Sequence, residues 1–309
     1  MADDFFDRFS GRGTPRPDAA PVANPRLTDP VGLQCLFEGP LALDAAEVQL
    51  ALRDYHRDMA NATAELAAVP PPDKPLAPDD EQPTLLGLLA WGRHVVKLVG
   101  FDSPMPAEAV EACVRPSHID PAYKPLAYQH KSYVILYYAG YELDPMEQYV
   151  ALAACAGAVA YFGATFVLNE IAHTAIPAPV LHPHEEDNGD MLAALRGLPL
   201  LLVYCGFVYF SVEGQSGLWM RTHGCHRFGL PDLAYHDEDG KLIEFTFQLF
   251  NNLFAYLRET GNSFVPDCRL QLDNDMFFRL RARTSEEWYL ESEGEMLVAE
   301  RIGPEEGKQ

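Results

Sequence analysis

Histidines are the residues whose clustering points most directly to chemistry. Six of the ten histidines fall between residues 173 and 236, where carboxylates and Cys225 are interleaved with them. Imidazole, carboxylate and thiolate groups are the common ligands of zinc and related divalent metals. Two loops, residues 182–190 and 222–227, are therefore predicted to hold such a metal through four side chains: His182, His184, His223 and His226.

Hydrolysis is the chemistry expected of such a centre. A bound metal lowers the pKa of its water enough for the water to attack at neutral pH. The spacing of the four histidines matches no standard zinc signature. The alternative interpretation is a pair of polar surface loops, and both interpretations stay open at this point.

Motifs for other kinds of catalysis are missing from the sequence. Cys225 lies beside His226, but no third group is evident that would orient the pair. The segment 214–217 lacks the glycine that stands two residues after the serine in a nucleophile elbow. The chain has neither a Walker loop nor a GxGxxG motif, so the sequence does not support nucleotide binding. No catalytic residue and no cofactor-binding residue is predicted.

Five arginines form a second candidate site, for an anion or an acidic partner. They are Arg221, Arg227, Arg279, Arg281 and Arg283. The last three alternate along a predicted strand and therefore share one face. The alternative is a cross-strand charge ladder, in which these three arginines pair with Glu291, Glu293 or Glu295.

The N-terminal segment contributes a third candidate surface. Residues 1–30 are rich in proline and are predicted to be a flexible tail. Phe5, Phe6 and Phe9 form an acidic-aromatic patch within this tail. The patch is interpreted either as an end that packs loosely on the body or as a short peptide that docks a partner.

The charge balance limits the partners. The chain has 23 basic and 45 acidic residues, which gives a net charge of -22. Such a chain is expected to bind nucleic acid or an anionic membrane poorly. The expected partner is another protein, and a basic protein would be attracted most strongly. The acidic N-terminus does not resemble a signal peptide, and a cytoplasmic location is expected. The uncharged stretches 149–169 and 197–212 are predicted to be buried core.

An internal repeat organises the elements. Residues 33–52 and 133–152 align at an offset of one hundred, and both read as a strand followed by a capped helix. Asp44 and Asp144 are the predicted N-caps, and Glu47 and Glu147 are predicted to complete capping boxes. A second strand is predicted after each helix, at residues 92–100 and 163–173, which suggests a duplicated β-α-β unit.

The predicted fold class is α+β, with antiparallel or mixed sheets covered by helices. A helix is expected at 243–261, strands at 206–212, 267–272 and 277–283, and a hairpin that pairs 288–292 with 296–301. The predicted organisation is a tail (1–30), a first β-α-β unit (31–130) with a proline-rich insertion (69–83), and a second unit with a C-terminal α+β region (131–309). The last two could form one continuous domain.

The segment 196–233 resembles an uncharacterised bacterial family, domain of unknown function 4261. The resemblance is carried by Leu198-Pro199, by Thr222-His223-Gly224 and by the string Phe228 to Leu233. The alanine-rich helix at 151–161 is also similar, and the resemblance extends loosely over residues 130–260. It implies a bacterial origin but no reaction, cofactor or catalytic residue.

Three functions follow as hypotheses. The first is a non-enzymatic acidic binding protein of the bacterial cytoplasm, with an immunity-type protein that neutralises a toxin as its concrete version. The second is a metal-dependent hydrolase that uses the histidine loops. The third is a scaffold or assembly component that docks through its N-terminal tail.

Overall fold

The fold is α+β, as predicted, and is built on two sheets. The computed structural model describes residues 2–12, 21–70, 81–183, 189–273 and 276–303. These residues divide into two compact units: Met1–Glu170 with Ala175–Leu198, and Ile171–Thr174 with Pro199–Gln309. Among the described helices, none combines the length and the apolarity that crossing a bilayer requires.

The first unit is built around a seven-stranded sheet with the strand order β2-β3-β4-β5-β1-β6-β7. Its elements in chain order are α1 (Ala2–Phe9), β1 (Gly32–Phe37), α2 (Ala45–Tyr55), β2 (Thr63–Ala68), β3 (Leu85–Trp91), β4 (His94–Phe101), α3 (Ala107–Val114), α4 (Lys124–Ala127), β5 (Ser132–Tyr138), α5 (Pro145–Ala160), β6 (Ala164–Asn169), β7 (Thr174–Pro177) and α6 (Met191–Gly197). Adjacent strands from β2 to β6 pair in antiparallel fashion.

The two predicted helix caps are present. The Asp44 carboxylate accepts hydrogen bonds from the N–H groups of Ala46 and Glu47, and α2 begins there. The Asp144 carboxylate accepts from the Met146 N–H at the start of α5. Within the described residues neither capping box is closed as predicted. The Glu47 carboxylate accepts no hydrogen bond from Asp44, and the Glu147 carboxylate is held instead by Arg196 of α6, at 2.6 and 2.7 Å.

The predicted boundary at residue 130 is wrong. Strand β1 pairs with β5 on one side and with β6 on the other, so the two copies of the repeat share one sheet. The strand that follows α2 is β2, and the predicted strand 92–100 corresponds to β4. Alanine-rich β2 carries few of the β-branched residues that mark a strand, which is why the sequence pattern missed it. Residues 71–80 of the predicted insertion lie outside the described part.

Helices cover both faces of this sheet. On β1, Cys35 faces α5, where Cys155 approaches it. Leu36 points to the opposite face and joins Val110 of α3 and Tyr133 in a buried cluster. The alternation of side chains along β1 therefore assigns α2 and α5 to one face and α3 to the other.

The second unit contains a six-stranded sheet with the order β11-β12-β13-β10-β9-β8. Its elements are α7 (Leu200–Val203), β8 (Gly206–Phe210), β9 (Leu218–His223), β10 (Asp232–Asp237), α8 (Ile243–Thr260), β11 (Arg269–Asp273), β12 (Met276–Ala282) and β13 (Met296–Ile302). The pair β10–β13 is parallel, so the sheet is mixed. Helix α8 ends at Gly261, whose φ of 67° is left-handed as predicted.

The predicted hairpin at 288–301 is half wrong. β13 is its second strand, but Trp288–Leu290 is a 3₁₀ turn. Tyr289 packs against Trp219 at 5.4 Å and against Phe210, so this segment covers the sheet and does not extend it. The aromatic residues that suggested a strand are used for packing on its face.

Candidate functional site

The predicted metal ligands lie in different surroundings. His182 follows the 3₁₀ turn Ala178–Leu181 of the first unit, and its ring stacks on Tyr161 at 4.3 Å. His226 of the second unit contacts the Glu293 carboxylate at 3.2 Å. His184 lies outside the described residues. Across the described part of the chain, no group of three or more His, Cys, Asp or Glu side chains is placed to hold a metal ion.

His223 is half-buried in the second unit. Its ring meets that of His173 edge-on, with 4.5 Å between the ring centroids. Burial, together with the nearby Arg221 and His173, lowers the pKa of His223 to about 2. The ring is therefore neutral over the physiological range, and it acts as part of the packing.

The arginines of β12 form the charge ladder that was the alternative prediction, with different partners. Glu300 of β13 accepts from Arg279 at 2.8 Å and from Arg281 at 2.6 Å. Glu287 accepts two further hydrogen bonds from Arg281, at 2.7 and 2.5 Å. These positive charges are therefore neutralised inside the unit. The register of β12 with β13 places Glu300 opposite Arg279. The predicted partners Glu291, Glu293 and Glu295 precede β13.

The remaining predicted arginines differ from one another. Arg221 is buried, and its guanidinium donates to the carbonyl groups of Tyr289 and Glu291, which fixes the covering segment on the sheet. Arg227 is half-buried in the 3₁₀ turn Cys225–Phe228. Arg283 is half-buried, and within the described residues it forms no ion pair. The five arginines do not make one open anion site.

The N-terminal phenylalanines are packed, which corrects the prediction of a flexible tail for residues 2–9. Phe5 on α1 is only 6% exposed and packs with Leu88 and Val95 of the sheet. Phe6 and Phe9 pack at the edge of the same cluster. An ion pair between Arg8 and Glu65 at 2.6 Å also anchors the helix. These rings are therefore not available as a free docking peptide.

An apolar groove with acidic ends lies in the first unit and was not predicted. Its volume is about 460 Å³. We call it the α2 groove, and it is lined by Glu47, Leu50, Ala51, Asp54, Tyr55, Tyr161 and Phe162. Leu50 is 60% exposed and Tyr161 is 57% exposed, values unusual for large hydrophobic residues of one small patch.

Helical spacing builds one wall of the α2 groove. Glu47, Leu50, Ala51 and Asp54 recur at i, i+3, i+4 and i+7 on α2, so they share a face beside the buried stripe of that helix. The two carboxylates are about 10 Å apart along the axis, with the apolar residues between them. Within the described residues neither Glu47 nor Asp54 forms an ion pair.

The other wall comes from the end of α5, which is held close to α2. The Tyr55 hydroxyl donates to the Leu181 carbonyl at 2.6 Å. A Cβ atom at Gly157 would lie 2.3 Å from that carbonyl and 2.7 Å from the Tyr55 ring, so only glycine permits this approach. Tyr161 is then presented at the groove with one ring face against His182.

A larger cavity of about 840 Å³ lies along the sheet of the second unit. Its lining includes Arg279, Arg281, Glu287 and Glu300, which are already paired with one another. These four charged side chains are thus neutralised by one another, whereas Glu47 and Asp54 of the α2 groove form no ion pair within the described residues. The α2 groove is the better candidate site for this reason.

No protein-family model, curated protein or solved structure matches the chain. The site therefore has to be judged on its own chemistry. The described lining combines apolar side chains with a carboxylate at each end. It offers a surface for binding.

Proposed function

We propose that this protein is a non-enzymatic binding protein that captures a basic protein partner through the α2 groove. The observation that carries the proposal is the pair of unpaired carboxylates, Glu47 and Asp54, on either side of exposed Leu50. The matching partner is an amphipathic helix with two basic residues about seven positions apart around an apolar centre. Such a helix would bury Leu50 and Tyr161 and neutralise both carboxylates.

The overall charge supports the same partner. A net charge of -22 attracts basic proteins and speeds their encounter, while the groove supplies the short-range contacts. We propose toxin neutralisation in the bacterial cytoplasm as the concrete form of this function, as in an immunity-type protein. Membership of the family of domain of unknown function 4261 is part of the same proposal.

A synthetic peptide tests the groove directly. The probe is an amphipathic helical peptide with two lysines seven residues apart around central leucines, and its matched partner has glutamates in place of the lysines. The lysine peptide is expected to bind the full chain, with an affinity that falls as salt increases. Isothermal titration calorimetry measures both peptides.

Charge reversal supplies the matched control. The double variant Glu47→Lys, Asp54→Lys is expected to lower the affinity for the lysine peptide at least tenfold, which corresponds to about 1.4 kcal/mol. The double variant Glu38→Lys, Glu108→Lys changes the net charge equally, at exposed positions outside the groove, and is expected to bind nearly as well as the wild type. Equal loss in both variants would show that net charge alone attracts the peptide.

A pull-down from the native cell extends the test to real partners. The wild type is expected to retain basic proteins that are lost with Leu50→Asp or Tyr161→Ala. The control is Leu143→Ala, which alters a largely exposed leucine outside the groove and should retain the same proteins. If no basic protein depends on these groove residues, the proposal is wrong.

A further inference from the structure

Helices α1 and α3 pack on one face of the first unit's sheet, which is largely apolar. A row of polar side chains crosses this face. Lys97 of β4 pairs in register with Tyr137 of β5, and Tyr137 pairs with Gly32 of β1. Gln34, two residues further along β1, projects to the same face by alternation. The neighbouring positions of this face are apolar and packed, so the polar row needs an explanation.

Gln34 is the most informative member of the row. It is only 5% exposed, and its Nε2 donates to the Glu170 carboxylate at 3.0 Å. Its Oε1 is buried and accepts no hydrogen bond from any described residue. A buried acceptor without a donor costs stability, and native proteins keep few of them without a reason. The amide therefore presents an unused acceptor next to a carboxylate.

The surrounding groups are also hydrogen-bond acceptors or aromatic. The Tyr137 ring lies over Gly32, where an added Cβ would stand 3.2 Å from it, and within the described residues its hydroxyl forms no hydrogen bond. The neighbouring Tyr133 donates to Glu81, so a second carboxylate lies along this face. The one nearby cation is directed elsewhere, because the Lys97 ammonium lies over the Phe9 ring at 4.9 Å.

We propose that Gln34, Tyr137 and Glu170 form a binding site for a guanidinium group, which we call the Gln34 subsite. A planar guanidinium has five donors in a fixed fork and can serve the Gln34 Oε1 and the Glu170 carboxylate together. The Tyr137 ring adds a π face of the kind that guanidinium groups stack on. An anion would lie beside the Glu170 carboxylate and the unused Gln34 acceptor, so its binding is unfavourable.

The Gln34 subsite is independent of the groove. Gln34 faces α3, whereas α2 lies on the opposite face of the same sheet, so one site can fail without the other. The guanidinium has two sources, a free guanidino compound or an arginine of a peptide. Agmatine represents the first source and the tripeptide Gly-Arg-Gly the second, and 1,4-diaminobutane serves as a cation that lacks the planar fork.

Calorimetry on the full chain tests the subsite. Saturable binding of agmatine or of the tripeptide is expected, and the tighter of the two identifies the source. Glu170→Gln should weaken binding about tenfold or more, because a charged acceptor is lost. Glu38→Gln, which alters an exposed glutamate after β1, should leave it unchanged.

Gln34→Leu separates a binding role from a structural one. The change removes the orphan acceptor, so the melting temperature should stay equal or rise while agmatine binding is lost. The proposal is overturned if neither probe binds at millimolar concentration, if Gln34→Leu binds as well as the wild type, or if 1,4-diaminobutane binds equally well. If Gln34→Leu lowers the melting temperature, Tyr137→Leu, which removes the ring face, provides the second comparison and should weaken agmatine binding.

Discussion

Charged side chains are used in opposite ways in two regions of this molecule. On β12 and β13 of the second unit, Arg279 and Arg281 are neutralised by Glu300 and Glu287. On α2 of the first unit, Glu47 and Asp54 flank an exposed leucine and form no ion pair within the described residues. Charge alone therefore does not mark a site. Charge that the fold leaves unpaired beside exposed apolar surface is the more informative feature.

The largest expected effect is on the paired region. Glu287→Ala removes a carboxylate that is 11% exposed and that accepts from Arg281 and from the Thr284 N–H. We expect the free energy of unfolding of the second unit to fall by about 1–3 kcal/mol, because Arg281 is left partly unpaired. Urea unfolding followed by tryptophan fluorescence measures it, since Trp219 and Trp288 report on this unit.

The neighbouring residue supplies the control for that measurement. Glu286→Ala removes an exposed carboxylate one position away and should change stability by less than about 0.5 kcal/mol. If Glu287→Ala is as mild as Glu286→Ala, the ladder of the second unit contributes little, and the contrast with α2 disappears.

Acid tests a different part of the second unit, the end of β9. The pKa of His223 is about 2 in the folded unit and 6.5 ordinarily, so below pH 6.5 the unfolded chain binds a proton that the folded unit does not. The stabilisation is complete above pH 6.5 and is lost as the pH falls, by about 1.4 kcal/mol per pH unit for one such group.

The variant His223→Phe keeps the aromatic packing and removes the titration. Its urea midpoint should therefore fall less between pH 7 and pH 5 than that of the wild type. Equal slopes for the two proteins would mean that His223 is protonated in the folded unit or that another group controls the acid response.

The sequence predicted local features better than long-range pairing. Asp44 and Asp144 were identified as caps because capping depends on a few adjacent residues. Helix α8 and strands β8, β11, β12 and β13 were also predicted, because periodicity is local, whereas β9 and β10 were not. The pairing of β1 with both β5 and β6 joins segments roughly 95 to 134 residues apart, and no local pattern encodes it.

The site was missed for a related reason. Glu47, Leu50, Ala51 and Asp54 lie at helical spacing in the sequence, so one wall of the groove was visible. Its significance depends on the end of α5, which Gly157 brings against Tyr55. The arginine ladder was predicted in kind, but Glu300 was identified only by strand register. Residue types indicate which groups can pair, and the fold decides which of them do.

The smallest expected effect is on the stability of the α2 region, and its sign is informative. Glu47 lies in the first turn of α2, where a negative charge is favourable, and Asp54 lies in the last turn, where it is unfavourable. Glu47→Gln should therefore lower the free energy of unfolding slightly and Asp54→Asn should raise it, each by about 0.3–1 kcal/mol. Urea unfolding at low ionic strength, with Trp91 as the probe of the first unit, measures both.

The sign separates binding from folding. A carboxylate serves binding if its removal stabilises the free protein but weakens binding of the lysine peptide. If Asp54→Asn instead destabilises the unit by more than about 1 kcal/mol, Asp54 supports the fold, and the contrast between the two regions would have to be abandoned.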